Sequence, residues 1–372
     1  AAGARRGRAG AAGRSAAAGT VGLAEEQQQQ QENGAGSGGR LGSFLVIGDW
    51  GWDDNVHGNT YSSDCQKQIA DLMAEEMERL GDVKFIINVG DSFYPNGVTS
   101  KDDPAWETKW RARYSEELRS VPWYSVYGNH DYQHDPCACG DGPADCAQVN
   151  DDIDDLSTFY MPGNSWFKEH PEMDLEVVAL DMNHLMWAWD KNASPHEQCP
   201  LDCFYSPCQK KCEANLKARS DEGFELFYSR ISESTAKNMV VFTHYPTDYF
   251  WKYPDFLGAL RNGSKRHLEF FGGHRHNVDQ DSTTSIEPNS NWLVAALHDG
   301  VWLPRGVAMA GGGGGWGCDG EQQGIVVGEL RKGKKLATRA VLLDDPSSCC
   351  GPPQEPPPGG WPPGPVRECQ LV

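Results

Sequence analysis

The sequence predicts an α/β fold, and three observations carry that expectation. Short apolar runs recur along the chain, each bounded by Gly, Asp or Pro, as buried strands are. The first two runs enclose a helical pattern, and a strand–helix–strand unit normally sets its strands parallel through a right-handed crossover. Five of the runs end in a polar motif. In open α/β sheets the carboxyl ends of strands gather on one edge, where ligands bind, so these five ends are expected to converge.

Residues 1–42 are rich in Ala, Gly, Arg and Gln, including Gln27 to Gln31, and cannot bury a core. A disordered tail is expected there. Arg5, Arg6, Arg8 and Arg14 read as part of that solvated tail, with a targeting segment as the alternative. Ser43-Phe44-Leu45-Val46-Ile47 reads as the first strand, ending in Gly48-Asp49-Trp50-Gly51. Asp64 to Leu80 reads as a helix, because Ile69, Leu72, Met73, Met77 and Leu80 share a face and Gly81 suits its C-terminal stop. Lys84-Phe85-Ile86-Ile87-Asn88-Val89 is the next strand and runs into Gly90-Asp91-Ser92-Phe93-Tyr94.

Asp103-Pro104 supplies a cap and a Pro at the first turn of a second helix. Trp106, Trp110, Tyr114 and Leu118 recur along it at every fourth residue. That stripe reads as core, with a ligand-binding aromatic box as the alternative. Residues 122–127 form a strand ending in Gly128-Asn129-His130-Asp131. Residues 132–165 are polar and acidic and carry three cysteines, as an insertion or long loop does. Residues 175–181 are a strand, and Phe224, Phe227 and Ile231 mark a helix. Met239 to Thr243 is a strand ending in His244-Tyr245-Pro246. Leu268 to Phe271 is a strand ending in Gly272-Gly273-His274-Arg275-His276. Runs at 292–297, 325–330 and 336–343 read as further strands. From Pro346 the chain is rich in Pro and Gly and is expected to form an extended tail. The resulting division is a tail at 1–42, a domain at 43–345 with Cys-rich insertions near 132–165 and 184–222, and a second tail at 346–372.

The strand-end residues make one chemical set. Asp49 and Asp91 are carboxylates, Tyr94 a phenol, Asn129 an amide oxygen, and His244, His274 and His276 imidazoles. That is seven ligands, enough for two cations sharing Asp91, whose two oxygens can bridge. Hard oxygen donors mixed with imidazole suit iron, zinc or manganese better than calcium or magnesium alone. A lone GDxxY is more often an ordinary strand-to-turn corner; five such motifs in one order are not.

The blocks GDWG, GDSFY, GNHD, VFTH and GHRH, in this order over roughly residues 43–345, resemble the purple acid phosphatases of the calcineurin-like metallophosphoesterase superfamily, in particular their small tartrate-resistant type. The resemblance implies a four-layer sandwich of two mixed β-sheets flanked by helices. It implies that Asp49, Tyr94 and His276 bind Fe(III), that Asn129, His244 and His274 bind a second, divalent metal (Fe, Zn or Mn), and that Asp91 bridges. It implies an acid phosphatase that hydrolyses phosphate monoesters by attack of a metal-bound hydroxide, with His130 facing the substrate as proton donor. One departure stands out. The small enzymes carry another histidine shortly after the HYP block, and Thr247 to Lys252 contain none, which leaves more of the proton transfer to His130. The second Cys-rich segment falls where the family has a mobile loop over the active site.

Composition bounds the rest. A net charge of −20 opposes non-specific nucleic-acid binding, which requires cations against phosphate. No stretch is apolar for long enough to span a membrane. Twelve cysteines in tight local clusters, with the sequons at Asn192 and Asn262, point to a disulfide-bonded glycoprotein in a secreted or lumenal compartment, although no signal segment is visible. Cys199, Cys203, Cys208 and Cys212 read as disulfide partners, with a zinc site as the alternative. A monomer is expected. Two rival functions remain open at this stage. One is a phosphodiesterase or nucleotide hydrolase on the same scaffold. The other is a non-catalytic binding protein that uses its Cys-rich loops, whose signature would be a lost ligand.

Overall fold

The computed structural model describes residues 39–51, 64–94, 97–131, 148, 158–187, 209–245, 247–250, 253–262, 266–273, 296–298, 301–303 and 324–343. The chain divides into two units, Ala1–Arg40 and Leu41–Val372, and nearly all described residues lie in the second.

Strands β1 (Arg40–Ile47) and β2 (Val83–Asn88) pair in parallel, and α1 (Asp64–Leu80) connects them. Ile69, Met73 and Leu80 of α1 are buried, as the helical periodicity requires. The helix stops at Gly81, which takes a left-handed φ of 70° and donates its N–H to the Met77 carbonyl at 2.9 Å. Strand β3 (Trp123–Ser125) joins β2 in parallel and β4 (Phe159–Tyr160) joins β3. Strands β11 (Gly324–Arg331) and β12 (Ala337–Leu342) form an antiparallel pair, so the first sheet runs β12-β11-β1-β2-β3-β4.

The second sheet runs β5-β6-β7-β8, from β5 (Trp166–His170), β6 (Leu175–Ala179), β7 (Asn238–Phe242) and β8 (His267–Phe271). Strand β5 is antiparallel to β6, and the other neighbours are parallel. A separate hairpin joins β9 (Ala296–His298) to β10 (Val301–Leu303).

Side-chain alternation sorts the layers, because successive residues of a strand face opposite sides. Phe44, Val46, Phe85 and Ile87 of the first sheet pack in one cluster with Val177, Ala179, Val240, Phe242 and Phe271 of the second. That cluster is the seam between the sheets. Leu45, Ile47 and Ile86 face the other way, against Ile69 and Met73 of α1. Val178, Met239, Val241 and Phe270 face outward on the second sheet, against Phe227 of α4 (Gln209–Glu233) and Phe256 and Leu260 of α5 (Pro254–Asn262). The order is helix, sheet, sheet, helix: the expected four-layer sandwich.

Four local expectations change. The helix expected after Asp103-Pro104 is instead a wide turn at Trp106–Arg111, with the Ala112 N–H on the Glu107 carbonyl five residues back at 2.8 Å, followed by the short α2 (Glu116–Arg119). The cause is legible in the spacing. A side chain repeated every fourth residue drifts about 40° per step around a helix of 3.6 residues per turn. One wider turn and a break keep Trp106, Trp110, Tyr114 and Leu118 all buried on one side, as core. The expected long loop at 132–165 ends in β4. The helix marked by Phe224 starts at Gln209, inside the expected Cys-rich insertion, with the short α3 (His184–Trp187) before it. The strand expected at 292–297 is described only from Ala296, where it opens the hairpin.

Candidate metal centre

Strands β1, β2 and β3 of the first sheet and β7 of the second all release their chains at one edge, and four of the five polar motifs follow them within described residues. Asp49 and Asp91 both follow a Gly, and both adopt left-handed backbone, with φ of 55° and 51°. Such a conformation costs an L-residue about 1 kcal/mol, least for Asp and Asn, and it turns each carboxylate back over the strand ends. The two turns are tied together: Asp49 N–H donates to the Gly90 carbonyl at 2.9 Å, and Tyr94 N–H donates to the Gly51 carbonyl at 2.9 Å.

The side chains then meet. Tyr94 hydroxyl lies 3.0 Å from Asp91 Oδ2 and 3.4 Å from Asp49 Oδ1. His244 Nε2 lies 3.2 Å from Asp91 Oδ2 and 3.2 Å from Asn129 Oδ1. One atom from each of Asp49, Asp91 and His244 falls within 4.8 Å of the others, an arrangement able to hold a metal ion. Asp49, Asp91, Tyr94, Asn129 and His244 are all buried, Asp91 completely. The His244 Nδ1–H donates to the Val89 carbonyl at 3.0 Å, which fixes the ring and turns Nε2 toward the carboxylates. The half-buried His130 ring packs on the Tyr94 ring with centroids 4.4 Å apart, and its backbone N–H donates to Asp91 Oδ1 at 2.9 Å. His274 and His276 lie outside the described residues. Gly273, just before them, has no room for a side chain: a Cβ there would stand 2.5 Å from Asp49 Oδ2.

The electrostatics follow from two carboxylates sharing one buried site. Burial, then the charges of Asp91 and Asp49, push the Tyr94 phenol well above its ordinary range. Burial opposes charge on His244, but Asp91 and Asp49 outweigh it and push the imidazole up to about 9. The His244 shift, and the carboxylate share of the Tyr94 shift, report a field that favours positive charge among these groups.

Other residues of the site have no ligand role in the sequence reading. Asp131 accepts backbone N–H bonds from Ser92 and Phe93 at Oδ1 (2.8 and 3.1 Å) and from Gly128 at Oδ2 (2.9 Å), so one carboxylate clamps the second motif to the third. Burial and Asp91 push it up to about 6 despite those bonds. Asn88 is fully buried. It accepts from Trp50 Nε1 at 3.0 Å and donates to Ser92 and Ser125 at 2.8 and 3.1 Å, which links the first two motifs to β3. Lys109 Nζ, on the wide turn, donates to the Gly51 carbonyl at 2.9 Å. A polar Asn closing an apolar strand run was the one signal in the sequence for Asn88. Shortly after His244, Tyr249 is buried against Tyr245, with centroids 5.3 Å apart. Cys212, buried on α4, is in a disulfide; the other cysteine side chains lie outside the described residues.

A family model for calcineurin-like phosphoesterases matches residues 42–278. Purple acid phosphatase 3 of Arabidopsis thaliana is 45% identical over 93 residues, 25% of this chain and 23% of that protein. Tartrate-resistant acid phosphatase type 5 of Homo sapiens is 34% identical over 90 residues, 24% of this chain and 26% of that one. The chain thus spans about a quarter of the length of the curated relatives it matches. A solved structure described as GAP50, the anchor in the inner membrane complex of Plasmodium, superposes with a TM-score of 0.48 at 18% identity, over 81% of this chain and 84% of that one.

Proposed function

The chain belongs to the calcineurin-like phosphoesterase family, and we propose that it is a binuclear metal-dependent acid phosphatase acting on phosphate monoesters. The observation that carries this reading is the meeting of Asp49, Asp91, Tyr94, Asn129 and His244 in one buried cluster. The residues fit a pair of cations. The donors are two carboxylates, a phenol, an amide oxygen and an imidazole whose Nε2 faces inward, two of them on left-handed backbone, in a field that favours positive charge. Asp49 and Tyr94 with His276 would hold Fe(III), Asn129 and His244 with His274 a divalent Fe, Zn or Mn, and Asp91 would serve both. Two such cations supply charge to the phosphoryl oxygens and acidify water.

The chain's own groups supply the rest. His130, half-buried and tilted against the Tyr94 ring, sits at the cluster, where it would donate a proton to the departing alkoxide. Asp131 and Asn88 hold the ligand-bearing turns, so the cluster is built before substrate arrives. Cys212 in a disulfide supports the reading of a secreted or lumenal protein with its clustered cysteines paired. No described helix is long and apolar enough to cross a membrane.

The test is metal content and colour. Asp91→Ala should take the chain from about two bound metals to well below one, with activity lost alongside. Tyr94→Phe should keep iron but lose the visible band that a phenolate on Fe(III) produces. An Asp91→Ala protein retaining both metals would sink the bridging role. A colourless wild type containing stoichiometric Fe(III) would sink the assignment of Tyr94.

A further inference from the structure

Asn183 lies just beyond the end of β6, outside every motif of the ligand set, and it is fully buried. Its side chain uses three bonds. Nδ2 donates to the Tyr127 carbonyl at 3.1 Å and to Asp181 Oδ1 at 2.8 Å, and Oδ1 accepts from the Tyr245 hydroxyl at 2.9 Å. The pattern fixes the amide's orientation, since two acceptors meet the NH₂ and one donor meets the oxygen. Asp181 in turn accepts the Asn183 backbone N–H at 3.1 Å, and Arg219 reaches Asp181 Oδ2 at 3.4 Å.

The two far ends of this bridge matter. Tyr127 is two residues before Asn129, on the chain leaving β3 of the first sheet. Tyr245 directly follows His244, on the chain leaving β7 of the second. Asn129 Oδ1 and His244 Nε2 themselves lie 3.2 Å apart. Asn183 therefore ties the Tyr127 backbone, two residues before Asn129, to the Tyr245 side chain, next to His244, across the two sheets. None of these three side-chain bonds reaches the turns of Asp49 or Tyr94, which are held by Asn88, Asp131 and the Gly51 carbonyl instead.

We propose that Asn183 is a positioning residue for one half of the metal pair: it sets the spacing of Asn129 and His244 and so the affinity for the divalent cation, leaving the half built on Asp49 and Tyr94 unaffected. This rests on the binuclear reading above and assigns the second metal's affinity to a residue that touches neither metal ligand side chain.

The experiment uses the full chain in its iron-only form, titrated with Zn²⁺, and reads the Zn²⁺ dissociation constant together with the visible spectrum. Asn183→Leu, close in volume but without polar atoms, should bind Zn²⁺ about 10–100-fold more weakly, as loss of an outer hydrogen-bond partner typically does. Iron content and the visible band should stay as in wild type. Tyr245→Phe, which deletes only the hydroxyl, should shift Zn²⁺ affinity in the same direction by less, and keeps the question open to measurement if Asn183→Leu folds poorly. Unchanged Zn²⁺ affinity in both variants, or loss of iron and zinc in parallel, overturns the proposal. A wild type that binds no Zn²⁺ beside its iron overturns the binuclear reading and this inference with it, and is told apart because it shows before any substitution is made.

Discussion

Polar contacts hold the cluster's turns on both sheets, and the first sheet adds a layer of packing that the second supplies differently. Beneath the first sheet's turns lies a raft of rings. Trp50 meets Phe93, Tyr114 and Trp123 with centroids 5.2, 5.5 and 5.9 Å apart, and Phe93 meets Trp106 at 4.6 Å, all edge to face. Trp50 and Phe93 are the chain neighbours of Asp49 and Tyr94, so each of these proposed ligands is anchored by the ring beside it. The second sheet relies on directed polar contacts. Tyr245, beside His244, is held through its hydroxyl, and the sheet's outer face buries Glu176 against Arg230 at 2.7 Å. Packing is non-directional and punishes lost volume. A buried polar contact punishes a lost partner. The same fold edge should therefore fail in two distinct ways.

The largest effect is expected in the raft. Trp50→Ala removes a fully buried indole and leaves Asn88 Oδ1 without its Nε1 donor, so a loss of about 3–5 kcal/mol is expected. Urea unfolding checks it, and Trp50→Phe should cost clearly less because most of the ring volume stays. Equal losses for the two variants would mean that the indole N–H, not the packing, carries the contribution.

The polar half should respond to pairing. Arg230 also lies 4.0 Å over the Phe167 ring and reaches Glu169 and Glu233 at 3.3 Å. Arg230→Met strands the buried Glu176 carboxylate and is expected to cost about 3 kcal/mol, while Arg230→Met with Glu176→Leu recovers most of it. Failure of the second substitution to restore the unfolding midpoint would show that Arg230 acts by packing, which would erase the contrast between the sheets.

The smallest effect belongs to the seam they share. His170 stacks on Phe85 at 4.8 Å and lies 3.0 Å from the Tyr124 hydroxyl and 3.0 Å from Glu172. Burial holds its pKa below the ordinary imidazole value, although Glu172 pulls the other way. The unfolded chain therefore takes up a proton first. His170's contribution is complete above the unfolded value of about 6.5 and is lost as pH falls through it toward the folded one. Wild type should lose stability on acidification more steeply than His170→Gln; parallel curves for the two proteins would remove His170 from the account.

What was legible in the sequence follows the same division. The strand-end residues of the cluster could be read because burial forces apolar runs and a polar residue closes them: Asp49, Asp91, Asn129 and His244 each interrupt such a run. Strand β5 escaped because Phe167, Lys168 and Glu169 are all exposed on an edge strand, which leaves no alternation of burial to detect. The clamping role of Asp131 and the bridging role of Asn183 escaped for another reason. Both roles exist only once residues far apart in the chain are neighbours, and nothing local marks a carboxylate that will receive three N–H groups. Glu176 sat inside an apolar strand whose partner, Arg230, comes from a helix with no fixed offset to it.

The placement of β11 beside β1 has a consequence for how the molecule is made. Strands β1, β2 and β3 leave the ribosome early, yet one flank of β1 stays bare until residues 324–331 have been synthesised. Contacts between such distant segments are slow to form, and an unpaired strand edge invites pairing with another nascent chain. A stop codon shortly before Gly324 would spare every ligand residue of the proposed centre, including His274 and His276, and still leave β1 as an open edge. Such a truncation should appear as insoluble protein rather than as a shorter enzyme.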